Sequence, residues 1–158
     1  AYARGERCDS AERAVRRILV TGSRAWEDAR PIVWGALERE LEECADEIDF
    51  EVLHGGARGP DRDAQAWVDD WIGTYDITRF AGISARRFDP DYKQYYAQLA
   101  PFMRNQTMVD EKPYRCLAFH WGQSTGTADC IERALKAMIP VHIYRPGNPE
   151  PEIIAPLF

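Results

Sequence analysis

The sequence predicts an α/β fold: a sandwich in which a central, mainly parallel sheet of about five strands lies between layers of helix. Three observations carry this. Short apolar runs alternate with stretches of helical period, the pattern of right-handed β-α-β units. Three junctions between a strand and the next helix carry glycine, at Gly22, at Gly55-Gly56-Gly59 and at Gly122-Gly126. The 158 residues, 45% hydrophobic and 29% charged, suit one domain with a sizeable core and not a disordered chain.

The elements follow in order. Ile18-Leu19-Val20 is a β-branched run that ends in Thr21-Gly22-Ser23, a first strand. Ile32, Val33, Ala36, Leu37, Leu41 and Cys44 recur at helical spacing between glutamates, which predicts a helix from about Ala29 to Ala45. Phe50 to His54 is a second strand, stopped by Gly55-Gly56. Pro60 suits a first helical turn, and Ala64, Trp67, Val68, Trp71 and Ile72 line one face of the helix it opens. Ile83 to Phe88 is the third strand, with Ile77 to Phe80 as an extra strand or loop. A short aromatic helix, Tyr92 to Leu99, precedes one from Pro101 to Glu111. Tyr114 to Phe119 is strand four; Ala128, Ile131, Ala134, Leu135 and Met138 mark the next helix; Val141 to Tyr144 is strand five. Residues 1–16 are expected as a disordered or loosely packed extension and 17–145 as the folded domain. Residues 146–158 form a Pro-rich tail, extended on the surface.

Charge and composition exclude several functions. With 26 acidic and 20 basic side chains the formal charge is -6, which opposes a protein that coats nucleic acid. A small anion is still within reach, since a few local N–H groups and arginines can hold one. No run approaches the roughly 18–20 apolar residues of a membrane helix, and the first residues lack the apolar core of a secretory signal. Cys8, Cys44, Cys116 and Cys130 are far apart and only His54, His120 and His142 accompany them, so neither a metal site nor a disulfide framework is expected. Reduced thiols and a cytoplasmic setting follow.

The three glycine loops fall on one edge of the sheet, beyond the carboxyl ends of the strands, where such sheets bind ligands. They are expected to form one site. In His54-Gly55-Gly56-Ala57-Arg58-Gly59-Pro60-Asp61 the glycines let backbone N–H groups approach a ligand, and Arg58 supplies a fork for phosphate or carboxylate. The plainer alternative is a tight turn whose glycines serve geometry alone. Gly122-Gln123-Ser124-Thr125-Gly126-Thr127 opens a helix with free N–H groups and hydroxyls suited to an anion, and capping by Thr125 or Thr127 is compatible with that. Ser23 and Arg24 follow the first strand and are further candidates. Neither loop is a Walker A motif or a G-x-G-x-x-G fingerprint. His54 and His120 end strands, where a histidine usually satisfies local backbone groups. No nucleophile elbow is present, and Cys130, inside a helix, reads as a packed thiol. Tyr92, Tyr95 and Tyr96 read as core or oligomer packing beside Trp67 and Trp71.

Four ordered segments, ILVTGSRAW, HGGARGPDRDAQAW, PFMRNQTMVD and LAFHWGQSTGTADCIERA, resemble the SLOG superfamily. The likeness is to its small, YpsA-like bacterial and phage branch. That superfamily also holds the Smf/DprA proteins and the Lonely Guy phosphoribohydrolases, and the similarity runs from about Arg17 to Tyr144. It implies a Rossmann-like three-layer sandwich that binds nucleotides or molecules derived from them. Position by position, it implies that Gly22, Ser23 and Arg24 line the pocket and that Gly55, Gly56, Arg58 and Asp61 form its second wall. Arg104 and Asn105 stand where Lonely Guy enzymes have an Arg-Lys pair, and Gly126 and Thr127 match the Gly-Thr of their phosphate loop. The hydrolases place a catalytic Glu three residues after that Thr; here the position is Cys130, with Asp129 the nearest acid.

The expected function is therefore a cytoplasmic binder of a nucleotide-type ligand, in a sensor or sequestering role, with no obligatory cofactor, metal or catalytic residue. The competing reading is a phosphoribohydrolase cleaving the N-glycosidic bond of a nucleoside monophosphate, with Arg104 and Asp129 or Asp61 at work. DprA-like binding of single-stranded DNA would need a groove of Arg86, Arg87, Lys93 and Arg104, against the overall charge. The resemblance also implies self-association, and five tryptophans allow an apolar interface for a homodimer or higher homo-oligomer.

Overall fold

The computed structural model describes residues 14–45, 48–74 and 82–156. In chain order the elements are β1 (Val15–Gly22), α1 (Arg30–Glu43), β2 (Asp49–His54), α2 (Pro60–Thr74), β3 (Ile83–Arg87), α3 (Ala100–Asp110), β4 (Arg115–Phe119), α4 (Thr125–Lys136), β5 (Val141–Arg145) and β6 (Asn148–Ile154). They make one six-stranded sheet in the order β3-β2-β1-β4-β5-β6. The first five strands pair in parallel and β6 runs antiparallel to β5.

The burial explains the apolar run at Ile18-Leu19-Val20. β1 is central, Ile18 lies beside Val52 of β2 and Arg115 of β4, and all three residues are fully buried, because a parallel strand is covered on both faces. Ile18 and Val20 face a core built with Val33 and Leu37 of α1 and Trp67 and Val68 of α2. Leu19 faces a second core with Met108 and Val109 of α3 and Cys130 and Ala134 of α4. Two helices thus cover each face, the Rossmann-like three-layer arrangement expected from the sequence.

Four details differ from the sequence expectation. The Pro-rich tail is not merely laid on the surface: it forms β6, with Ile143 opposite Glu152 and Arg145 opposite Asn148 across a turn at Gly147. Pro149 and Pro151 lack N–H groups and so fit an edge strand that needs no outer partner. The aromatic helix at Tyr92 to Leu99 is instead a chain of turns, because Asp91 Oδ1 accepts from the N–H of Lys93 and of Gln94 and competes with helix formation. Tyr92 and Tyr96 are accordingly exposed, at 61% and 84%, and leave Trp67 and Trp71 to pack edge-on against each other and donate both indole N–H groups to Glu38 Oε1. Two residues assigned to helix core faces, Ile72 and Met138, are exposed, and Met138 (φ 66°) lies past the end of α4. The extra strand or loop at Ile77 to Phe80 and most of the N-terminal extension lie outside the described residues; β1 begins at Val15.

The strand order reverses between β1 and β4. Loops leaving these two neighbours go to opposite faces and leave a crevice at their carboxyl ends.

Candidate functional site

The glycine loop after β2 is shaped from within. Asp61, in the first turn of α2, is buried and its Oδ2 accepts from the N–H of Gly55 at 3.0 Å and of Ala57 at 3.3 Å. The N–H of Gly56 donates to His54 Nδ1 at 3.0 Å. Burial pushes the Asp61 carboxyl above its ordinary value, while the His54 ring, the N–H of Ala57, the Arg104 guanidinium and the N–H of Gly55 pull it down. All three amides that were expected to approach a ligand are therefore spent inside the protein. His54 does what a strand-terminal histidine was expected to do.

The outer surface of this loop carries arginines instead. A Cβ on Gly55 would fall on the Arg104 guanidinium, and Gly56, at φ 69°, leaves the same kind of space to Arg87. Arg104 Nη1 donates to the carbonyls of Gly55 (3.0 Å) and Phe88 (3.3 Å), and its Nε donates to Asn105 Oδ1 at 3.1 Å. The result is a hollow of about 710 Å³ lined by Arg24, Gly55, Gly56, Ala57, Arg58, Arg62, Arg87, Asp89, Pro90, Tyr92 and Arg104. Five guanidinium groups face one carboxylate, and Asp89 is already held by Arg87 at 2.7 Å.

A second hollow, about 670 Å³, lies over the β1–β4 crevice. It is lined by Ser23, Arg24 and Ala25 after β1, by residues 121–126 after β4, and by Ala97, Gln98, Pro101 and Phe102 at the start of α3 and before it. Ser23 ties the two loops together: its N–H donates to the Phe119 carbonyl at 3.0 Å and its Oγ accepts from the Trp121 N–H at 2.9 Å. The single expected site is thus two hollows that share Arg24.

Of the expected residues, Arg24, Gly55, Gly56, Arg58 and Arg104 meet in the first hollow, and Ser23, Arg24, Gly122, Ser124, Thr125 and Gly126 in the second. Four do not reach either. Gly22 packs against the start of α2, where a Cβ would sit 2.5 Å from Pro60. Asp61 is sealed beneath the loop it holds. Asn105 is buried, with Nδ2 donating to the Gly126 carbonyl (3.2 Å) and to Asp129 Oδ2 (3.1 Å). Thr127 is buried, its N–H donating to Ser124 Oγ at 3.4 Å and its hydroxyl 2.9 Å from that oxygen. The cap of α4 is therefore Ser124, not Thr125 or Thr127, because the extended Ser124 backbone aims its hydroxyl at the first turn.

The acid proposed for the hydrolase reading is also misplaced. Asp129 accepts from Arg133 Nε at 2.8 Å and from Asn105, and borders a separate surface depression with Gln106, Glu132 and Lys136. Cys130 is fully buried against Cys116, whose thiol is pushed well up by a hydrogen bond to Cys130 and by burial, and neither thiol reaches the two hollows. The groove that single-stranded DNA binding would need is broken: Arg86 turns to Glu51 and Glu111, at 3.2 and 3.0 Å, while Arg87 and Arg104 join the first hollow. Among the described residues no cluster of His, Cys, Asp and Glu could hold a metal ion, and no helix is long and apolar enough to cross a membrane.

Several lining residues escaped the sequence reading. Arg62, in the first turn of α2, joins Arg58 of the preceding turn in lining the hollow, with no helical spacing to link them because Gly59 lies between at φ 91°. Arg87 ends β3 level with His54 in the neighbouring strand. Trp121 and Phe102 carry no local signal, since they meet only when β4 and α3 are in place.

Residues 16–95 match the YAcAr family, described as the YspA, cpYpsA-related SLOG family. The chain belongs to this SLOG family. The matched stretch holds the glycine loop and every lining residue of the first hollow except Arg104. The protein is also similar to the Gene 61 protein of Mycobacterium phage D29, with 38% identity over 133 residues, which covers 80% of this chain and 94% of the phage protein. That relationship fits the phage branch of this SLOG family.

Proposed function

We propose that this SLOG protein binds a phosphate-bearing nucleotide or nucleotide-derived ligand across the two hollows, as a cytoplasmic sensor or sequestering protein without turnover. The observation that carries this reading is the convergence of Arg24, Arg58, Arg62, Arg87 and Arg104 in one hollow that opens, through Arg24, onto an aromatic-walled one. Guanidinium forks match phosphate oxygens two at a time. Trp121, 47% exposed, and Phe102 offer flat apolar surface for a base at the far side of Arg24. Binding without hydrolysis is favoured because the acid nearest the α4 loop, Asp129, is held by Asn105 and Arg133 outside both hollows.

Isothermal titration with AMP, ADP and ATP tests the proposal, with a parallel assay for free base and ribose phosphate. Saturable binding with no product is the expected result. Multiple-turnover release of base from a nucleoside monophosphate would replace the binder with the hydrolase, and failure of all nucleotides to bind would remove both.

A further inference from the structure

Three arginines of the first hollow differ from most others in the chain. Seven arginines elsewhere (Arg17, Arg30, Arg39, Arg86, Arg115, Arg133 and Arg145) each have a carboxylate within 3.6 Å. Arg24, Arg58 and Arg62 have no such partner among the described residues, in a chain with six more acids than bases. Five like charges around a single carboxylate, Asp89, repel one another and destabilise the folded state, and an anion in the hollow relieves that repulsion.

The number of charges then decides the class of anion. The loop amides cannot serve, since Gly55, Gly56 and Ala57 donate to Asp61 and His54. Recognition falls to guanidinium groups, each a full positive charge with a two-pronged donor edge. Arg104 is fixed by two carbonyls and Asn105, with its Nη2 free of partners among the described residues. Arg87 gives only Nε to Asp89. A single phosphate carries at most two charges and presents three free oxygens, too few for five guanidinium groups around some 710 Å³. A row of phosphates matches both the charge and the volume.

Building on the nucleotide-binding reading, we infer that the first hollow recognises an oligophosphate, the diphosphate or triphosphate chain of a nucleoside, in preference to a monophosphate. Arg58, in the turn before α2, and Arg62, in the first turn of α2, hold the phosphates farthest from the sugar, and Arg24 sits at the junction with the base.

The test compares AMP, ADP and ATP with inorganic phosphate, pyrophosphate and tripolyphosphate by isothermal titration at constant ionic strength. Affinity should rise at least tenfold from AMP to ATP and in the same order along the inorganic series. R62A should lower the affinity for ATP about tenfold and leave that for AMP within twofold; R133A, outside the hollow, should change neither. Equal affinities for AMP and ATP would overturn the oligophosphate assignment and leave nucleotide binding standing. Tripolyphosphate binding without binding of any nucleotide would keep an oligophosphate site but overturn its assignment to a nucleoside, and with it the nucleotide reading. Tighter binding of a single-stranded oligonucleotide than of tripolyphosphate would overturn it in favour of nucleic acid, and the absence of binding by every probe would end both readings.

Discussion

The N–H of Gly56 donates to Nδ1 of His54, 3.0 Å away, while Nε2 of the same ring lies 2.7 Å from Gln65 Oε1. Gln65 Nε2 donates to Asp69 at 3.0 Å, so its oxygen must face the ring. Nδ1 is then an acceptor and Nε2 carries the proton, a tautomer assigned from this chain of partners. Together with Asp61 the ring turns the loop's amides inward, and the loop's outer surface is left to Arg87 and Arg104.

Replacing His54 by Ala should therefore act on the loop before it acts on any ligand. The Gly56 N–H would be left buried without an acceptor, at a cost of about 1–3 kcal/mol. Urea denaturation should show a loss in that range. A loss much below it would mean that Gly56 finds another acceptor and that the ring does not shape the loop.

Two glycines on the same edge should respond in opposite ways to alanine. At Gly55 the new methyl group would occupy the place of the Arg104 guanidinium and push that side chain off the Gly55 and Phe88 carbonyls. Affinity for ATP should fall at least tenfold. At Gly126, in the first turn of α4, a Cβ would meet nothing within 4 Å. G126A should raise stability by about 0.5–1 kcal/mol through helix propensity alone. If G126A is destabilised in the free protein, the first turn of α4 is not helical as described.

The fold was readable because its signals are local. β1, β2, β4 and β5 announce themselves as apolar runs, β3 (ISARR) only weakly because it lies at the edge of the sheet, and the glycines mark the carboxyl edge. β6 was not readable, since proline argues against strands unless the strand is known to be an edge, and that depends on β5 lying last in the sheet. The site was legible in part for a related reason. Motif glycines identify the loops but not which way the amides point; that depends on Asp61 and His54 being buried beneath them. Thr127 matched the Thr of the Lonely Guy phosphate loop and Asn105 stood at the second position of their Arg-Lys pair, yet both are buried against neighbours, Ser124 for one and the Gly126 carbonyl for the other. The arginine cluster draws on β1, α2, β3 and α3, and no single segment contains it.

Acid should weaken the protein through its edge-side histidines. Burial, then the charges of Arg115 and Arg39 against the opposing Glu43, lowers the His142 pKa below the ordinary 6.5; burial and Arg145 do the same to His120. A group whose folded pKa is depressed takes up protons more readily when unfolded, so its favourable contribution is full above 6.5 and is lost as the pH falls through 6.5 toward the folded value. Asp61, raised from 3.8 mainly by burial, works in the opposite sense: its ionisation destabilises the fold, so protonation at lower pH recovers stability. The difference in midpoint between wild type and H142Q should therefore narrow between pH 7.5 and 5.5. A difference that stays constant over that interval would rule out a depressed His142.

Arg58 and Asp129 separate binding from catalysis. Arg58 is exposed, has no carboxylate partner among the described residues, and lines the first hollow, so R58A should leave the fold intact. It should weaken ATP binding by about 1.5–3 kcal/mol, the usual worth of a hydrogen bond to a charged group. Asp129 faces the other way, in a pair with Arg133 one turn along α4. D129N should leave ATP affinity within twofold and lower stability by about 0.5–1.5 kcal/mol, since it weakens a half-buried pair with Arg133 and an acceptor for Asn105. The two variants measured side by side by titration give a sharp contrast: loss of affinity in R58A with an intact melting transition, and retained affinity in D129N. Were D129N instead to abolish a turnover seen in wild type, Asp129 would have to swing from Arg133 and Asn105 into the α4 loop, and the protein would be a hydrolase whose acid moves into place on binding.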